Sequence, residues 1–498
     1  MDTLVSAFSL VATVPTFVAI VAGTLLGIVM GVLPGLGPAL AVSLALPFTF
    51  SLDKMASISM LLGLYSGSIY GGSVTAILIN TPGTPASAAT CLDGYPMARA
   101  GRADEAIGLS TAASLFGGLF SLVVLVLAAP QLAAWALRFG PAEIFAVAVF
   151  ALTCIASVSE GAMVKGLMAG ILGLFISVIG QDAVTGEARY TFGFFALTGG
   201  VDLLPVLVGL FALSEVMVRL VERQKAAATA VTGVGFRLPS LRVLRRCAGT
   251  AVKGSIIGTL LGVLPGVGPT TASFVSYSEA RRVARPDDRF GSGEPRGIVA
   301  SEVANNAVTG GALVPTLALG IPGDPITAIM LGAFMIHEIV PGPRMFVQHL
   351  DLVQAIFLSL LLVNLVMFVI AAFSAQLWTR VLRVPEPVLM AGVVVLVAVG
   401  TFSVNNSLLD LGTALVAGIA GFLLRYNGFP IAPVVIGLVL GRMVEENLRT
   451  GLIAYDGDLT VFFGRPIAVI LYVATLLVLA WPLVARALRR RGNKGAAC

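Results

Sequence analysis

Long apolar segments recur along the whole chain, and they limit the possible folds more than any other feature. Of the 498 residues, 57% are hydrophobic and only 11% are charged, whereas soluble domains carry about 25% charged residues. Segments that are apolar on all sides are interpreted as membrane spans by their length. We therefore predict an all-α polytopic membrane protein with roughly 10–13 transmembrane helices plus broken or re-entrant segments. The candidate spans or half-spans are residues 16–33, 39–50, 55–80, 106–129, 142–158, 162–179, 203–221, 253–264, 298–319, 326–339, 352–377, 388–402, 408–424, 431–443 and 467–484.

The two halves of the chain carry the same sequence landmarks in the same order. GTLLGIVMGVLPGLGP at residues 23–38 and GSIIGTLLGVLPGVGP at 254–269 share nine identities at an offset of 231. A Gly-Gly pair and a PGxP turn follow in each half, at 71–72 and 82–85 and again at 310–311 and 322–325. AGILG at 169–173 is echoed by AGIAG at 417–421, and PVLVGL at 205–210 by PVVIGL at 433–438. Four matches in one order predict two homologous repeats.

Basic residues surround the second repeat and predict its orientation. Residues 219–253 contain eight Lys or Arg and one Glu, and five more Lys or Arg follow residue 485. The positive-inside rule places both segments in the cytoplasm. The first 14 residues contain no Lys or Arg, so we expect inverted repeats with the N-terminus outside. The predicted division is 1–221 as the first transmembrane repeat, 222–252 as a basic cytoplasmic linker, 253–485 as the second transmembrane repeat and 486–498 as a basic cytoplasmic tail.

A second basic loop, residues 281–296, follows the LPGVGP turn after about a dozen residues. If this loop is also cytoplasmic, residues 253–280 enter and leave the membrane on one side, as a re-entrant hairpin with LPGVGP at its tip. Residues 253–264 alone are too few to cross a core of about 30 Å. A kinked full span is the alternative interpretation.

Glycine and proline interrupt the apolar segments at four places, and these breaks form the candidate binding site. Broken helices expose N–H groups that attract carboxylates and carbonyl groups that suit sodium. Irregular backbone at membrane depth is tolerated only when it is buried in protein or lines a wet cavity. The alternative interpretations are close-packing kinks and hydroxyls that bond back to their own helix. The predicted substrate-binding residues are Gly35, Gly37, Ser66, Ser68, Asn80, Thr81, Gly83, Thr84, Gly266, Gly268, Thr270, Thr271, Asn305, Asn306 and Gly323.

Asp324 is the candidate ion ligand. An acidic residue at membrane depth is costly and is therefore a functional candidate. We predict that Asp324, within the second PGxP turn, binds sodium or a proton. A simple turn-capping acid is the alternative. Glu302, near Asn305 and Asn306, is a second candidate of the same kind. Apart from the coupling ion, no cofactor is expected.

Catalytic motifs are missing from the sequence. There are only two histidines, and the chain contains no HExxH, no GxSxG and no GxxxxGK motif. The four scattered cysteines indicate neither a disulfide framework nor a zinc site. We therefore expect no enzyme and no ATP-driven pump; an intramembrane hydrolase would need Ser66 or Ser68 paired with His337. The net charge of +5 fits cytoplasmic loops, and no nucleic-acid partner is expected.

Four motifs stand out: the duplicated GVLPGxGP, the YGGS segment at 70–73 that leads to NTPGTP at 80–85, the DGYP run at 93–96 and the IPGDP turn at 321–325. Together they resemble the large membrane subunit of the tripartite tricarboxylate transporters, the TctA family. The resemblance covers essentially the whole chain. It implies a multi-pass protein of the bacterial inner membrane, driven by an ion gradient that we expect to be sodium. It also implies a small four-helix membrane subunit, a periplasmic solute-binding protein and an organic carboxylate substrate such as citrate. A stand-alone organic-anion carrier is the alternative.

Overall fold

The structure is a computed structural model that describes residues 2–158, 163–182, 185–221, 235–381 and 384–495. Residues 222–234 of the predicted linker and 496–498 of the predicted tail lie outside this part of the chain.

Helices account for most of the described residues. The sheet in this part of the chain consists of two strands of two residues each, Gly180–Gln181 paired antiparallel with Ala188–Arg189. The helices are α1 (Asp2–Val11), α2 (Val14–Val32), α3 (Gly37–Thr49), α4 (Lys54–Ile79), α5 (Ala88–Met97), α6 (Ala103–Ala136), α7 (Pro141–Val158), α8 (Met163–Ser177), α9 (Leu203–Val208), α10 (Ser214–Val221), α11 (Leu241–Val263), α12 (Gly268–Arg282), α13 (Pro295–Leu319), α14 (Pro325–Ile336), α15 (Met345–Gln348), α16 (Leu350–Val381), α17 (Glu386–Asn405), α18 (Leu408–Tyr426), α19 (Ala432–Ala454), α20 (Thr460–Gly464) and α21 (Pro466–Gly495). Short 3₁₀ or π segments lie at 85–87, 98–102, 195–197 and 209–213.

The prediction of an all-α polytopic membrane protein is confirmed. Among the described residues, seven helical segments are long and apolar enough to cross a bilayer, and five further apolar helices are shorter. The helices α4 and α13 are buried along almost their whole length, so protein rather than lipid surrounds them.

Contacts divide the chain into two compact units. The first contains residues 1–137 and 202–426, and the second contains 138–201 and 427–498. Each unit therefore takes segments from both predicted repeats, and the division into repeats, linker and tail stays a prediction.

In the first unit, α2 packs on α4 and α11 packs on α13. A Cβ atom added to Gly27 would lie 2.7 Å from the Leu64 carbonyl oxygen, and one added to Gly258 would lie 2.2 Å from the Ala304 carbonyl oxygen. Small residues allow helix backbones to approach this closely in membranes. The glycines of both GxxxG runs thus have the close-packing role that was the alternative interpretation.

The later landmarks pack crosswise between the halves. In the second unit, a Cβ on Gly173 of AGILG would lie 2.0 Å from the Val434 carbonyl oxygen of PVVIGL. In the first unit, a Cβ on Gly209 of PVLVGL would lie 2.3 Å from the Ala414 carbonyl oxygen, beside AGIAG. AGILG of the first half thus packs on PVVIGL of the second half, and PVLVGL of the first half packs beside AGIAG of the second half. Two-fold related halves would show this exchange; the inverted orientation stays a prediction.

The helix α11 begins earlier than the sequence indicates. It starts at Leu241, where the Ser240 side chain accepts a hydrogen bond from the Val243 backbone N–H. The predicted segment started twelve residues later, at Lys253, because basic residues hide an amphipathic helix from an apolar-length criterion. Its 23 residues span about 34 Å. The helix is thus longer than the predicted apolar segment, but its residues 241–253 include four basic ones, and the re-entrant hairpin stays a prediction.

Candidate functional site

In each half, the loop that ends the first broken helix is bonded to the PGxP turn. The Gly35 N–H donates to the Gly83 carbonyl oxygen at 3.2 Å, and the Gly266 N–H donates to the Gly323 carbonyl oxygen at 2.8 Å. Gly35 and Gly266 have φ angles of +80° and +86°, which residues other than glycine adopt at a cost. The two predicted break pairs are therefore brought together, each within its own half.

The contacts also give the register between the halves. A Cβ on Gly71 would lie 2.3 Å from the Ile28 carbonyl oxygen, and one on Gly311 would lie 2.5 Å from that of Thr259. Since Ile28 and Thr259 are equivalent at the offset of 231, Gly71 corresponds to Gly311 at an offset of 240. The match of Gly71 with Gly310 that the sequence indicates is one residue off. The PGxP turns have the same offset of 240.

Asp324 is fully buried at the first turn of α14 and contacts both halves of the chain. Its Oδ1 accepts hydrogen bonds from the Thr327 backbone N–H at 2.8 Å and from the Thr327 hydroxyl at 2.9 Å. Its Oδ2 accepts a hydrogen bond from the Tyr65 hydroxyl of α4. One carboxylate oxygen therefore caps the turn, as the alternative interpretation expected, and the other links α14 to α4. The role in ion binding stays a prediction.

At the offset of 240 residues between the halves, the counterpart of Tyr65 is Asn305 and the counterpart of Asp324 is Thr84. Both are buried, and α13, which carries Asn305, contacts the 3₁₀ turn that Thr84 begins. Within the described chain, the Thr84 Oγ1 and the Asn305 Nδ2 make no hydrogen bond, and neither does the buried Ser66 Oγ. Leaving a buried polar atom without a partner costs about 1–3 kcal/mol. Three predicted substrate ligands thus carry unsatisfied donors.

Glu302 is the centre of a second buried polar cluster. Its carboxylate accepts hydrogen bonds from the Ser73 hydroxyl at 2.6 Å, from Ser114 at 3.3 Å and from Thr90. Asn306 donates to the Ser114 hydroxyl at 2.9 Å and belongs to the same cluster. The sequence analysis missed Thr90 and Ser114, which lie on α5 and α6. Their partners are about 190 to 210 residues away, and only the fold shows these contacts.

Asp93 of the DGYP run is fully buried and joins the two halves at another place. Its Oδ1 accepts four backbone N–H groups at 2.8–3.1 Å, from residues 291 to 294, and its Oδ2 accepts the Tyr277 hydroxyl at 2.8 Å. Such a ring of N–H groups forms a concave site that suits a carboxylate oxygen. Asp93 thus holds the basic loop that precedes α13.

The other predicted residues have simpler surroundings. Asn80 and Thr271 are exposed, and Asn80 ends α4 in the left-handed conformation with φ +52°. The hydroxyls of Ser68 and Thr81 bond to backbone carbonyls of their own segment. Thr270 is half-buried. Gly37 and Gly268 begin α3 and α12 with positive φ angles and no side chain nearby.

No hydrogen bond joins His337 to Ser66 or Ser68 within the described chain. The buried His337 Nε2 has no partner there, and Ser68 bonds to the Tyr65 carbonyl oxygen at 3.1 Å. The structure thus shows no hydrolase pair among these residues.

Replacing Asp93 by alanine is expected to lower the free energy of unfolding by about 3–5 kcal/mol, because four N–H groups and the Tyr277 hydroxyl lose their shared acceptor group. Asp93→Asn keeps an acceptor oxygen and should cost less. Thermal unfolding of the purified chain checks this, with Asp104→Ala at the half-buried start of α6 as the control. Equal melting temperatures for Asp93→Ala and Asp104→Ala would contradict the role of Asp93.

Comparison with known proteins adds family information to this geometry. The model of the tripartite tricarboxylate transporter TctA family matches residues 17–436. An uncharacterised 52.8 kDa protein of the TAR-I ttuC' 3' region of Agrobacterium vitis is 39% identical over 423 residues, which cover 85% of this chain and 84% of that protein. A second uncharacterised protein, of the TAR-II ttuC' 3' region, is 38% identical over 211 residues, or 42% of this chain and 87% of its own length. No solved structure matches the chain.

Proposed function

The chain belongs to the tripartite tricarboxylate transporter TctA family. We propose that it is a permease that imports tricarboxylates such as citrate, or related organic anions, and that a sodium gradient drives this import. It is the large membrane subunit of a tripartite system. The proposed partners are a small four-helix membrane subunit and a periplasmic solute-binding protein, in the inner membrane of a bacterium. The alternative is a stand-alone carrier without a binding protein.

One observation carries the proposal: Ser66, Thr84 and Asn305 present buried hydroxyl and amide groups without partners in the described chain. Buried polar groups are almost always paired, and exceptions call for a ligand or another explanation. A carboxylate-rich anion supplies several acceptor oxygens at once, and charge-assisted hydrogen bonds to it are stronger than neutral ones.

In the proposed mechanism, Asp324 and its counterpart Thr84 have different roles, because one binds the ion and the other binds the substrate. Asp324 and nearby carbonyl oxygens of the broken segments bind sodium, while the unsatisfied donors of Ser66, Thr84 and Asn305 bind substrate carboxylates. The Tyr65–Asp324 hydrogen bond connects α4 to the second PGxP turn. Sodium at Asp324 competes for the carboxylate oxygen that Tyr65 occupies, so ion binding loosens this link. One part of the molecule then rocks against the other and exposes the site to the opposite side.

Uptake into cells that express this chain with its small subunit tests the function. Labelled citrate and a panel of other di- and tricarboxylates are supplied with and without sodium and the binding protein. We expect uptake of at least one carboxylate that needs both. Uptake without the binding protein would support the stand-alone carrier, and sodium-independent uptake would contradict the coupling ion. Absence of uptake for the whole panel would contradict the substrate class.

Thr84→Val is expected to raise the KM for uptake by about tenfold or more, since one charge-assisted hydrogen bond to substrate is worth about 1.5–3 kcal/mol. Stability should not fall, because the Thr84 hydroxyl has no partner in the described chain. The matched control is Thr111→Val, whose buried hydroxyl bonds to the Ile107 carbonyl oxygen at 2.8 Å and to Tyr70. This control should lose stability with little change in KM. The reverse pattern would exclude Thr84 from the substrate site.

A further inference from the structure

A cavity of about 390 Å³ lies between α11, α12 and the loop that leads to α13. It is separate from the broken-helix site. Its lining includes five cationic and two acidic side chains. The cations are Arg245, Arg246, Lys253, Arg285 and Arg296, and the acids are Glu279 and Asp288.

Both acids already have partners. The Asp288 carboxylate pairs with Arg246 at 2.7 Å and with Arg296. Burial opposes the charge of Asp288, but hydrogen bonds from the Arg285 backbone N–H and from Arg246 outweigh it, so the pKa of Asp288 is below its ordinary value. Glu279 pairs with Arg282, outside the lining, at 2.7 Å.

Three cations of the cavity have no ion pair of their own. Arg245, Lys253 and Arg285 form no ion pair within 4.0 Å with any residue that the structure describes, and all three are exposed. Three positive charges around one concave space attract an anion more strongly than scattered surface charges do.

Other groups of the cavity also suit a ligand. Ser276 is only 2% exposed and lines the cavity. Gly249 of the lining leaves room, since nothing lies within 4 Å of a Cβ atom built there. A buried hydroxyl beside three cations is a donor set for phosphate oxygens.

An apolar stripe on α11 begins beside this cavity. Val252, Ile256 and Leu260 follow one another at intervals of four residues and are 42%, 44% and 62% exposed. They cover one face of the helix for about 12 Å. Lys253 and Ile257 of the cavity lining are their immediate neighbours in the chain. A molecule with a phosphate in the cavity and a hydrocarbon chain along the stripe would satisfy both surfaces.

We propose that this cavity binds the phosphate of an anionic phospholipid, with Arg245, Lys253, Arg285 and Ser276 as its ligands and an acyl chain along the Val252–Ile256–Leu260 stripe. Basic pockets between membrane helices are suited to such head groups. The site would anchor the start of α11, and it does not depend on the proposed substrate.

The test measures lipid binding to the purified full-length chain in detergent. Native mass spectrometry counts bound phosphatidylglycerol. Zwitterionic phosphatidylcholine, whose choline cation offsets its phosphate, serves as the comparison without net charge, and millimolar inorganic phosphate is the soluble comparison. We expect one tightly bound phosphatidylglycerol, little phosphatidylcholine and weak competition by phosphate. Phosphate that displaces the lipid completely, with equal affinity, would instead assign the cavity to a free anion and overturn the lipid proposal.

Two kinds of variant locate the binding. Lys253→Gln with Arg285→Gln should weaken phosphatidylglycerol binding by about thirtyfold, while Arg281→Gln, an exposed cation of α12 outside the lining, should change it less than about twofold. Gly249→Leu fills the cavity without changing charge and should also abolish binding, whereas Ala248→Leu beside it should not. Equal losses from Arg281→Gln and from the double variant, or normal binding by Gly249→Leu, would overturn the proposal.

Discussion

Alanine at Gly83 or Gly323 is expected to abolish carboxylate uptake. A Cβ atom at Gly83 would lie 2.1 Å from the Gly31 carbonyl oxygen, and one at Gly323 would lie 2.6 Å from the Ala312 Cα. Both neighbours are backbone atoms of packed helices, so the PGxP turn itself must move away. Overpacking of this kind costs about 1–3 kcal/mol or more. Because the turn accepts a hydrogen bond from the loop of the first broken helix, a small shift disrupts the candidate site.

Uptake and membrane abundance are measured together for these variants. We expect insertion to persist, since the apolar spans are unchanged, while uptake falls below about 1% of the wild-type rate. Gly392→Ala is the matched control, because the α17 position is exposed and nothing lies within 4 Å of an added Cβ. Uptake near the wild-type rate in both turn variants would show that the turns do not form the site.

Asp324→Asn is the second variant with a large expected effect, because it separates a capping role from a charge role. Asparagine caps helices about as well as aspartate, so a residue that only caps α14 would tolerate the change. If Asp324 binds the coupling ion, the neutral amide should lower sodium-driven uptake by about 100-fold. The dependence of uptake on sodium concentration is the measurement, and unchanged dependence in Asp324→Asn would refute the ion-binding role.

Tyr65→Phe complements this experiment, since it removes the donor to Asp324 and leaves the carboxylate. We expect about a tenfold lower uptake rate with an altered sodium dependence. Tyr70→Phe is a close control: Tyr70 is also fully buried on α4, but its hydroxyl pairs with Thr111 at 2.9 Å. If Tyr70→Phe and Tyr65→Phe changed the sodium dependence equally, the Tyr65 contact would have no special role.

The broken segments could be predicted from the sequence because proline and glycine act locally. The missing N–H of proline and the conformational freedom of glycine are properties of single residues, so the breaks at Gly35, at Gly83 and at their counterparts could be predicted without any tertiary information. The burial of Asp324 could also be expected from its apolar surroundings. Asn80 and Thr271 were predicted to bind substrate but are exposed. A polar residue beside a break has no sequence signal that shows which way its side chain points.

Other features depend on contacts that no local pattern contains. Tyr65 resembles any aromatic residue in an apolar helix until α14 brings Asp324 to its hydroxyl. The register of the halves was misjudged by one residue because two adjacent glycines look equivalent in the sequence. Only their contacts with α2 and α11 show that Gly71 is the counterpart of Gly311. Thr90 and Ser114 became functional candidates only through the buried Glu302.

The interleaving of the chain has a consequence for biosynthesis. The helices α7 and α8 pack on α19, yet the 225 residues 202–426 are translated between these segments. At roughly 5–20 residues per second, α7 and α8 wait about 11–45 s in the bilayer before their partner emerges from the ribosome. During this time their glycine faces are uncovered. We therefore expect a chain truncated before residue 427 to leave these faces uncovered permanently and to be a target for membrane proteases.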